Sequence, residues 1–313
     1  MKRKTLMTAF YQLSSWMSSL PERERKKSLF DLILPGSHDS AGCTAMINKL
    51  TEEWNKQVAG KRRHLPHVKR SLERWTHTQS LTVDEQLEMG IRHFDFRLSC
   101  KPNKSVFYFS HGPICSAALF TVYSIYNFLQ MHRGEAVVVS IRPDIWHQDN
   151  LSEERVDQFL ASIHEMCKNM LIPKGDEEKS LNQLGKSGHR LMLNYYGQCS
   201  SQAWLHQKQA TDDSASDYSL NSRMAKVKQQ FEKSGNKNWV VLSFPVDPTL
   251  DQLHDEIYKL SSFGLKDLSE ELHKKMYDFL DLKRNLLKQR LNVVETDFVD
   301  EMFVRTIVEL NYE

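Results

Sequence analysis

With 313 residues, 40% hydrophobic and 26% charged, the chain can bury one large core, as one barrel-sized domain or two smaller ones, and it is not a disordered tail. A net charge of only +2 argues against wholesale nucleic-acid binding. Five scattered cysteines (Cys43, Cys100, Cys115, Cys167, Cys199) without CxxC or CxxH spacing suggest neither a zinc site nor a disulfide framework, so reduced thiols and an intracellular setting are expected.

The first 30 residues hold seven Lys/Arg against two Glu, and Thr5 to Leu20 is broken by Thr, Gln and four Ser, so no cleavable signal peptide is expected. No stretch reaches the ~20 apolar residues of a membrane span, which leaves only peripheral membrane contact. Trp16, Met17 and Leu20 read as an apolar clamp closing one end of the fold, and Glu22 to Lys27 as solvated charge. Leu32 to Gly42 (LILPGSHDSAG) is a buried strand that breaks at Pro-Gly and presents His38 beside Asp39. That pair suits proton transfer, and it suits equally a turn in which Asp39 binds its own backbone.

Ala45 to Ala59 reads as a helix. Lys61 to Arg70, five Lys/Arg with no acid and broken by Pro66, reads as a loop or lid that is either a solvated basic face or a contact with an anionic membrane surface. Thr82 to Glu85 is a capping box with Gly90 as the stop, giving a short helix to Met89. In the strand Ile91 to Leu98, alternation puts Arg92, Phe94, Phe96 and Leu98 on one face and His93, Asp95 and Arg97 on the other. Aromatics outward and charges inward fit a barrel strand covered by helices, or else a solvent-facing polar edge. The strand Val106 to Ser110 ends in His111-Gly112-Pro113, a second histidine at a strand break.

Ala117 to Met131 is an amphipathic helix, and Glu135 to Ile141 a buried strand ending at Arg142. Asn150 with Glu153 caps a helix to about Met170. Arg190 to Tyr196 is a strand, Leu220 to Lys233 a helix, Asn238 to Phe244 a strand and Leu268 to Arg290 one or two helices. Asn292 to Phe298 is a last strand ending at Asp297, followed by a helix from about Asp300 to Asn311. Alternation of strands and helices predicts a mostly parallel α/β fold, and seven strands predict an irregular or incompletely closed (βα) barrel. His38, Asp39, Asp95, Arg97, His111, Arg142 and Asp297 then meet at the mouth formed by the strands' carboxyl ends. Two histidines, carboxylates and two guanidinium groups suit cleavage of a phosphodiester.

The segments LPGSHDS (34–40), GIRHFDFRL (90–98), SHGP (110–113), EAVVVSIR (135–142) and VETDF (294–298) also resemble, in order and spacing, the X-box catalytic domain of phosphatidylinositol-specific phospholipases C, over residues of about 15 to 311. The resemblance implies a single irregular barrel at 29–313 with residues 1–28 as an extension packed on it. It implies a phospholipid substrate at a membrane surface and attack by the inositol 2-hydroxyl on its own phosphate. By the same resemblance His38 matches the general base and His111 the general acid, with Asp39, Asp95 and Asp297 as the carboxylates around them and Asp297 paired with His38. Arg97 and Arg142 stand where calcium-dependent relatives place acids, which implies a metal-independent site without cofactor. Asn194 and Tyr195 replace the neighbourhood of an inositol-contacting arginine; Tyr196 and Asp217 are further candidates for the headgroup site, and the headgroup itself is left open. A monomer is expected. A catalytically silent lipid-binding module and a phosphodiesterase of soluble glycerophosphodiesters are the rival expectations.

Overall fold

The computed structural model describes residues 12–43, 46–50, 66–101, 105–144, 151–200, 240–245 and 262–312, together with helical positions at 221–222, 224–225, 228–229 and 255–256. In chain order the elements are α1 (Glu22–Arg25), β1 (Leu34–Ser37), β2 (Met46–Leu50), α2 (Pro66–Thr76), α3 (Val83–Met89), β3 (His93–Cys100), β4 (Phe107–Ser110), β5 (Pro113–Ala117) and α4 (Ala118–Met131). They continue with β6 (Val137–Pro143), α5 (Glu153–Cys167), α6 (Leu181–Ser187), β7 (Leu191–Tyr195), β8 (Val241–Phe244), α7 (Leu265–Arg290), β9 (Val293–Thr296) and α8 (Glu301–Glu309).

Six strands run parallel in the order β8-β9-β1-β3-β6-β7, and among the described residues β7 and β8 do not pair with each other. Over the described residues the fold is therefore an α/β barrel left open between β7 and β8. β3 is the pivot. Its first half is a barrel stave between β1 and β6, while Leu98 to Cys100 pair with the antiparallel β4, from which β5 and then β2 extend.

Alternation along β3 gives the barrel its two faces. Phe94 and Phe96 are buried on the outside, and the Phe96 ring stacks on Phe109 at 4.1 Å between centroids. Burying such a ring stabilises by about 2–3 kcal/mol. Arg92, on the same face, is also fully buried, because Glu135 at the entry to β6 receives its Nη2 at 2.8 Å. Glu135 also accepts from the backbone N–H of Met17 (3.2 Å) and Ser18 (2.8 Å), while Arg92 donates to the Ser14 carbonyl at 2.7 Å. This buried pair thus ties residues 14–18 to the end of the barrel remote from the mouth, where Trp16, Met17 and Leu20 are buried as the apolar clamp requires.

The short helix α3 forms for the reason its sequence states. Thr82 and Glu85 exchange the two capping-box bonds, and Gly90 takes the left-handed φ of 108° that lets the chain turn into β3.

Several expectations are corrected. Met46–Leu50, expected to be helical, is the edge strand β2 paired with β5. Pro66 to Arg70, expected as part of a loop or lid, open α2, where the missing N–H of Pro66 removes nothing from the helix; Lys61 to Leu65 lie outside the described residues. Nine strands are present among the described residues rather than seven, because β2 and β5 belong to the antiparallel extension. The cap of α5 is Ser152, whose hydroxyl accepts from the Arg155 N–H, and not Asn150. Glu24 is buried between Arg23 and Lys27 instead of being solvated. Leu265–Arg290 is one helix. The region expected as a helix at 220–233 lies mostly outside the described residues.

Candidate active site

β1 ends at Ser37, and the next two residues carry the histidine–aspartate pair over the mouth. Ser37 Oγ donates to Ser40 Oγ (2.7 Å), Ser40 Oγ donates to the Ser37 carbonyl (2.8 Å), and the Asp95 N–H donates to Ser40 Oγ (3.0 Å). Asp39 adopts φ 38°, a left-handed conformation that aspartate tolerates better than most residues. Two residues that the motifs do not contain hold this loop. Gln79 Nε2 donates to the carbonyls of His38 (2.8 Å) and Thr296 (3.1 Å), and Thr78 Oγ1 donates to the Asp39 carbonyl (2.8 Å). Gly42 leaves the room for Thr78: a Cβ there would lie 1.8 Å from Thr78 Oγ1.

His38 Nδ1 faces Asp297 Oδ1 at 2.9 Å, so the ring donates from Nδ1 and turns Nε2 into the mouth. There Nε2 lies 3.3 Å from Arg97 Nη2 and 3.6 Å from Asp39 Oδ2. A neutral ring accepts from the guanidinium, and a charged one offers its proton to Asp39. Burial opposes the charged ring, but the carboxylates of Asp39 and Asp297 outweigh it and raise His38 to about 10. Asp297 is itself fixed through its backbone, whose carbonyl accepts from His273 Nε2 at 3.0 Å.

His111 reaches the same carboxylate, with Nε2 3.4 Å from Asp39 Oδ2. It does not sit at the end of a parallel stave, as expected. β3 overshoots the mouth, β4 runs back antiparallel to it, and the turn after Ser110 brings His111 over Asp39. Ser110 Oγ is bonded to Asp144, just past β6, which anchors that turn. His111 Nδ1 lies 3.1 Å from the Thr76 carbonyl at the end of α2.

Arg97 links the carboxylates, with Nε 2.8 Å from Asp39 Oδ1 and Nη2 2.9 Å from Asp95 Oδ2. Arg142 Nε donates to Asp95 Oδ1 at 3.1 Å, and its guanidinium lies 5.1 Å above the Tyr196 ring. Burial pushes Asp95 toward its neutral form, but Arg97 and Arg142 prevail and hold it below the usual carboxylate range. Asp39 is held low in the same way, burial being outweighed by His38, Arg97 and His111. His38, Asp39 and Asp95 could each offer one ligand atom to a cation, all within 4.8 Å of one another. The fit is poor, because Arg97 and Arg142 already engage Asp39 Oδ1 and both oxygens of Asp95.

Asn194 is not among these groups. It lies one layer deeper in the barrel, its Nδ2 3.4 Å from Ser140 Oγ, which also contacts His93 Nε2 at 3.0 Å. His93 in turn faces Glu295 at 3.2 Å, and Ser243 donates to Glu295 at 2.7 Å. Gly36 admits this buried polar layer, since a Cβ there would be 3.0 Å from Glu295 Cβ and 3.1 Å from His93 Nδ1. Asp217 lies outside the described residues.

An open TIM-like barrel with its charged groups gathered at one mouth is the class of protein that this fold defines. No family model matches the chain. Among curated proteins it is 30% identical over 186 residues to human "PI-PLC X domain-containing protein 2", covering 58% of the chain and 60% of that protein. It is 30% identical over 187 residues to human "PI-PLC X domain-containing protein 1", covering 58% of the chain and 56% of that protein. The chain thus spans less than two thirds of the length of these relatives. Among solved structures, the phosphatidylinositol-specific phospholipase C of Listeria monocytogenes superposes with a TM-score of 0.63 at 16% identity, over 96% of this chain and 99% of that one. That of Staphylococcus aureus gives 0.65 at 17% identity, over 96% and 98%. These findings support the phosphatidylinositol-specific phospholipase C X-box family for this chain, the resemblance carried by its motifs, and the barrel is the one those bacterial structures share.

Proposed function

We propose that the chain is a metal-independent phospholipase C-type phosphodiesterase that cleaves phosphatidylinositol, or a related phospholipid, to diacylglycerol and inositol 1,2-cyclic phosphate. One observation carries this reading: His38 Nε2 and His111 Nε2 both face the same oxygen, Asp39 Oδ2, at 3.6 and 3.4 Å, and Arg97 Nε holds the other oxygen of that carboxylate at 2.8 Å. One phosphate group placed there is within reach of both Nε2 atoms.

His38 takes the proton of the inositol 2-hydroxyl at Nε2, while Asp297 holds its Nδ1–H. The freed oxygen forms the new bond to phosphorus, the bond to the diacylglycerol oxygen breaks, and His111 gives that oxygen a proton. Arg97 and Arg142 neutralise the charge on the phosphoryl oxygens, which supports a reaction without a divalent ion. Tyr196, whose ring lies 5.1 Å from the Arg142 guanidinium, is assigned to the headgroup side. Residues before Leu29 act as an extension on a single barrel, and the protein works as a monomer at the membrane surface. Among the described residues no helix is long and apolar enough to cross a membrane, which fits peripheral contact.

The test is to incubate purified protein with vesicles containing each candidate phospholipid, with and without chelator, and to follow early products by phosphorus NMR. A cyclic inositol phosphate formed in chelator is the expected result. An acyclic phosphate as sole initial product, or no turnover of any phospholipid, overturns the reading.

A further inference from the structure

Helix α4 is unusual for a helix on the outside of a barrel: its 14 residues, ALFTVYSIYNFLQM, include no Asp, Glu, Lys or Arg. The inward stripe of Ala118, Val122, Ile125, Phe128 and Leu129 is buried, as packing requires. Over its first two turns the outward side is apolar too, whereas Ser124, Asn127 and Gln130 further along keep the amphipathic character expected. Phe120 is 71% exposed, Tyr123 47% and Leu119 38%, and Val106 is 46% exposed. Because β4 pairs Tyr108 with Ala117, continuing that register sets Val106 beside the first turn of α4, where Leu119 and Phe120 lie, with Tyr123 one turn on. Single exposed apolar residues are ordinary, but a cluster on an uncharged helix marks a contact surface.

Its place in the fold says what it contacts. The cluster lies at the outer end of β4, and His111 follows the inner end, so about 15 Å of extended strand separates them. Both therefore lie on the mouth side of the barrel. Lys101 follows Cys100, which pairs with Phe107, and so puts a half-buried cation next to Val106. An uncharged apolar tip with a tyrosine and a flanking lysine matches the interfacial zone of an anionic bilayer, whereas the rim of a protein contact is polar.

We propose that Val106, Leu119, Phe120 and Tyr123 form an insertion edge that enters the interfacial zone of a phospholipid bilayer and holds His111 at the depth of the lipid phosphates. The assignment of His111 to that depth rests on the phospholipase reading; insertion itself does not.

The test compares the intact chain with the double variant Leu119→Ser, Phe120→Ser and with Phe120→Trp, using phosphatidylcholine/phosphatidylinositol vesicles and a water-soluble inositol phosphodiester. The double variant is expected to partition onto vesicles at least about tenfold less while turning over the soluble substrate normally. Phe120→Trp, which keeps the ring, should bind at least as well as the parent and shift its emission to shorter wavelength on adding vesicles. Unchanged partition together with an unshifted emission overturns the edge, whatever the catalytic result. Loss of a dimer in the double variant with vesicle binding intact also overturns it, in favour of a contact between two copies. A shifted emission in a protein that cleaves no phosphodiester leaves the edge standing and removes the phospholipase reading alone.

Discussion

His111 Nδ1 donates to the Thr76 carbonyl at 3.1 Å, because a carbonyl oxygen can only accept, and an acid at this position is the ring that carries a second proton on Nε2. The last turn of α2 thereby leaves Nε2 as the working atom of the proposed acid. His111→Ala should slow turnover by roughly 10²-fold to 10⁴-fold, the range for one general acid/base group. A substrate with a better leaving group should recover part of that loss, because it needs less protonation. His38→Ala should lose as much and recover none. Rates for both variants on two substrates check the assignment, and equal recovery would exchange or abolish the roles.

The pH profile follows from the carboxylates around His38. With its pKa raised to about 10, the ring is charged at neutral pH, so a base at this position makes kcat/KM climb with pH toward about 10. Asp297→Asn removes one carboxylate and should move that limb to lower pH while reducing the maximum rate. A rate that falls with rising pH across the same range would make His38 the acid.

The same shift has a consequence for stability. A folded pKa above the ordinary value of 6.5 means that His38 contributes stability fully below that value and loses it as pH rises through about 10. Unfolding midpoints of the parent and His38→Gln should therefore converge above pH 10 and diverge near pH 6. A constant gap between them would place the stabilisation elsewhere.

Arg97 should be more sensitive than its 20%-exposed side chain suggests. Arg97→Asp sets a third carboxylate against Asp39 and Asp95 and removes a cation from the phosphate, so activity should fall by several orders of magnitude. The parent should keep its rate in chelator. Loss in chelator with recovery on adding calcium would overturn the account of both arginines.

Glu135→Ala should be among the most destabilising single changes outside the mouth. It leaves the Arg92 guanidinium fully buried beside an empty partner position, a situation that costs about 3–5 kcal/mol. Replacing both residues by Met and Leu should recover part of this, not all, because the N–H groups of Met17 and Ser18 still lose their acceptor. Urea unfolding of the single and double variants measures the difference.

Much of this was legible in the sequence because the staves announce themselves by alternation. The β3 parity sorted Phe94 and Phe96 from Asp95 and Arg97, and the structure puts the two sets on opposite faces as that parity demands. The capping box of α3 is an equally local signal. What failed was non-local. β2 is a strand only because β5 supplies its partner, and nothing in its own residues distinguishes it from a helix. Gln79 and Thr78 carry no periodic or motif signal; they matter because they bond the backbones of His38, Asp39 and Thr296, which the fold alone brings to them. Asn194 is a candidate because strand 190–196 resembles one that carries an inositol-contacting arginine, but its amide lies against Ser140 in the buried polar layer with His93.

The pairing of β1 with β9 gives the site an order of assembly. His38 and Asp297 are 259 residues apart, and each depends on the other's strand for its position. His111, Arg97 and Asp95 come from neighbouring strands of the first half. During synthesis the acid side of the mouth can therefore form while the ribosome is still engaged, whereas the base side waits for the last strand to emerge. A polypeptide released before β9 would carry every cation of the mouth and lack the carboxylate that turns His38 toward its substrate, so premature termination should yield an inert protein rather than an unregulated one.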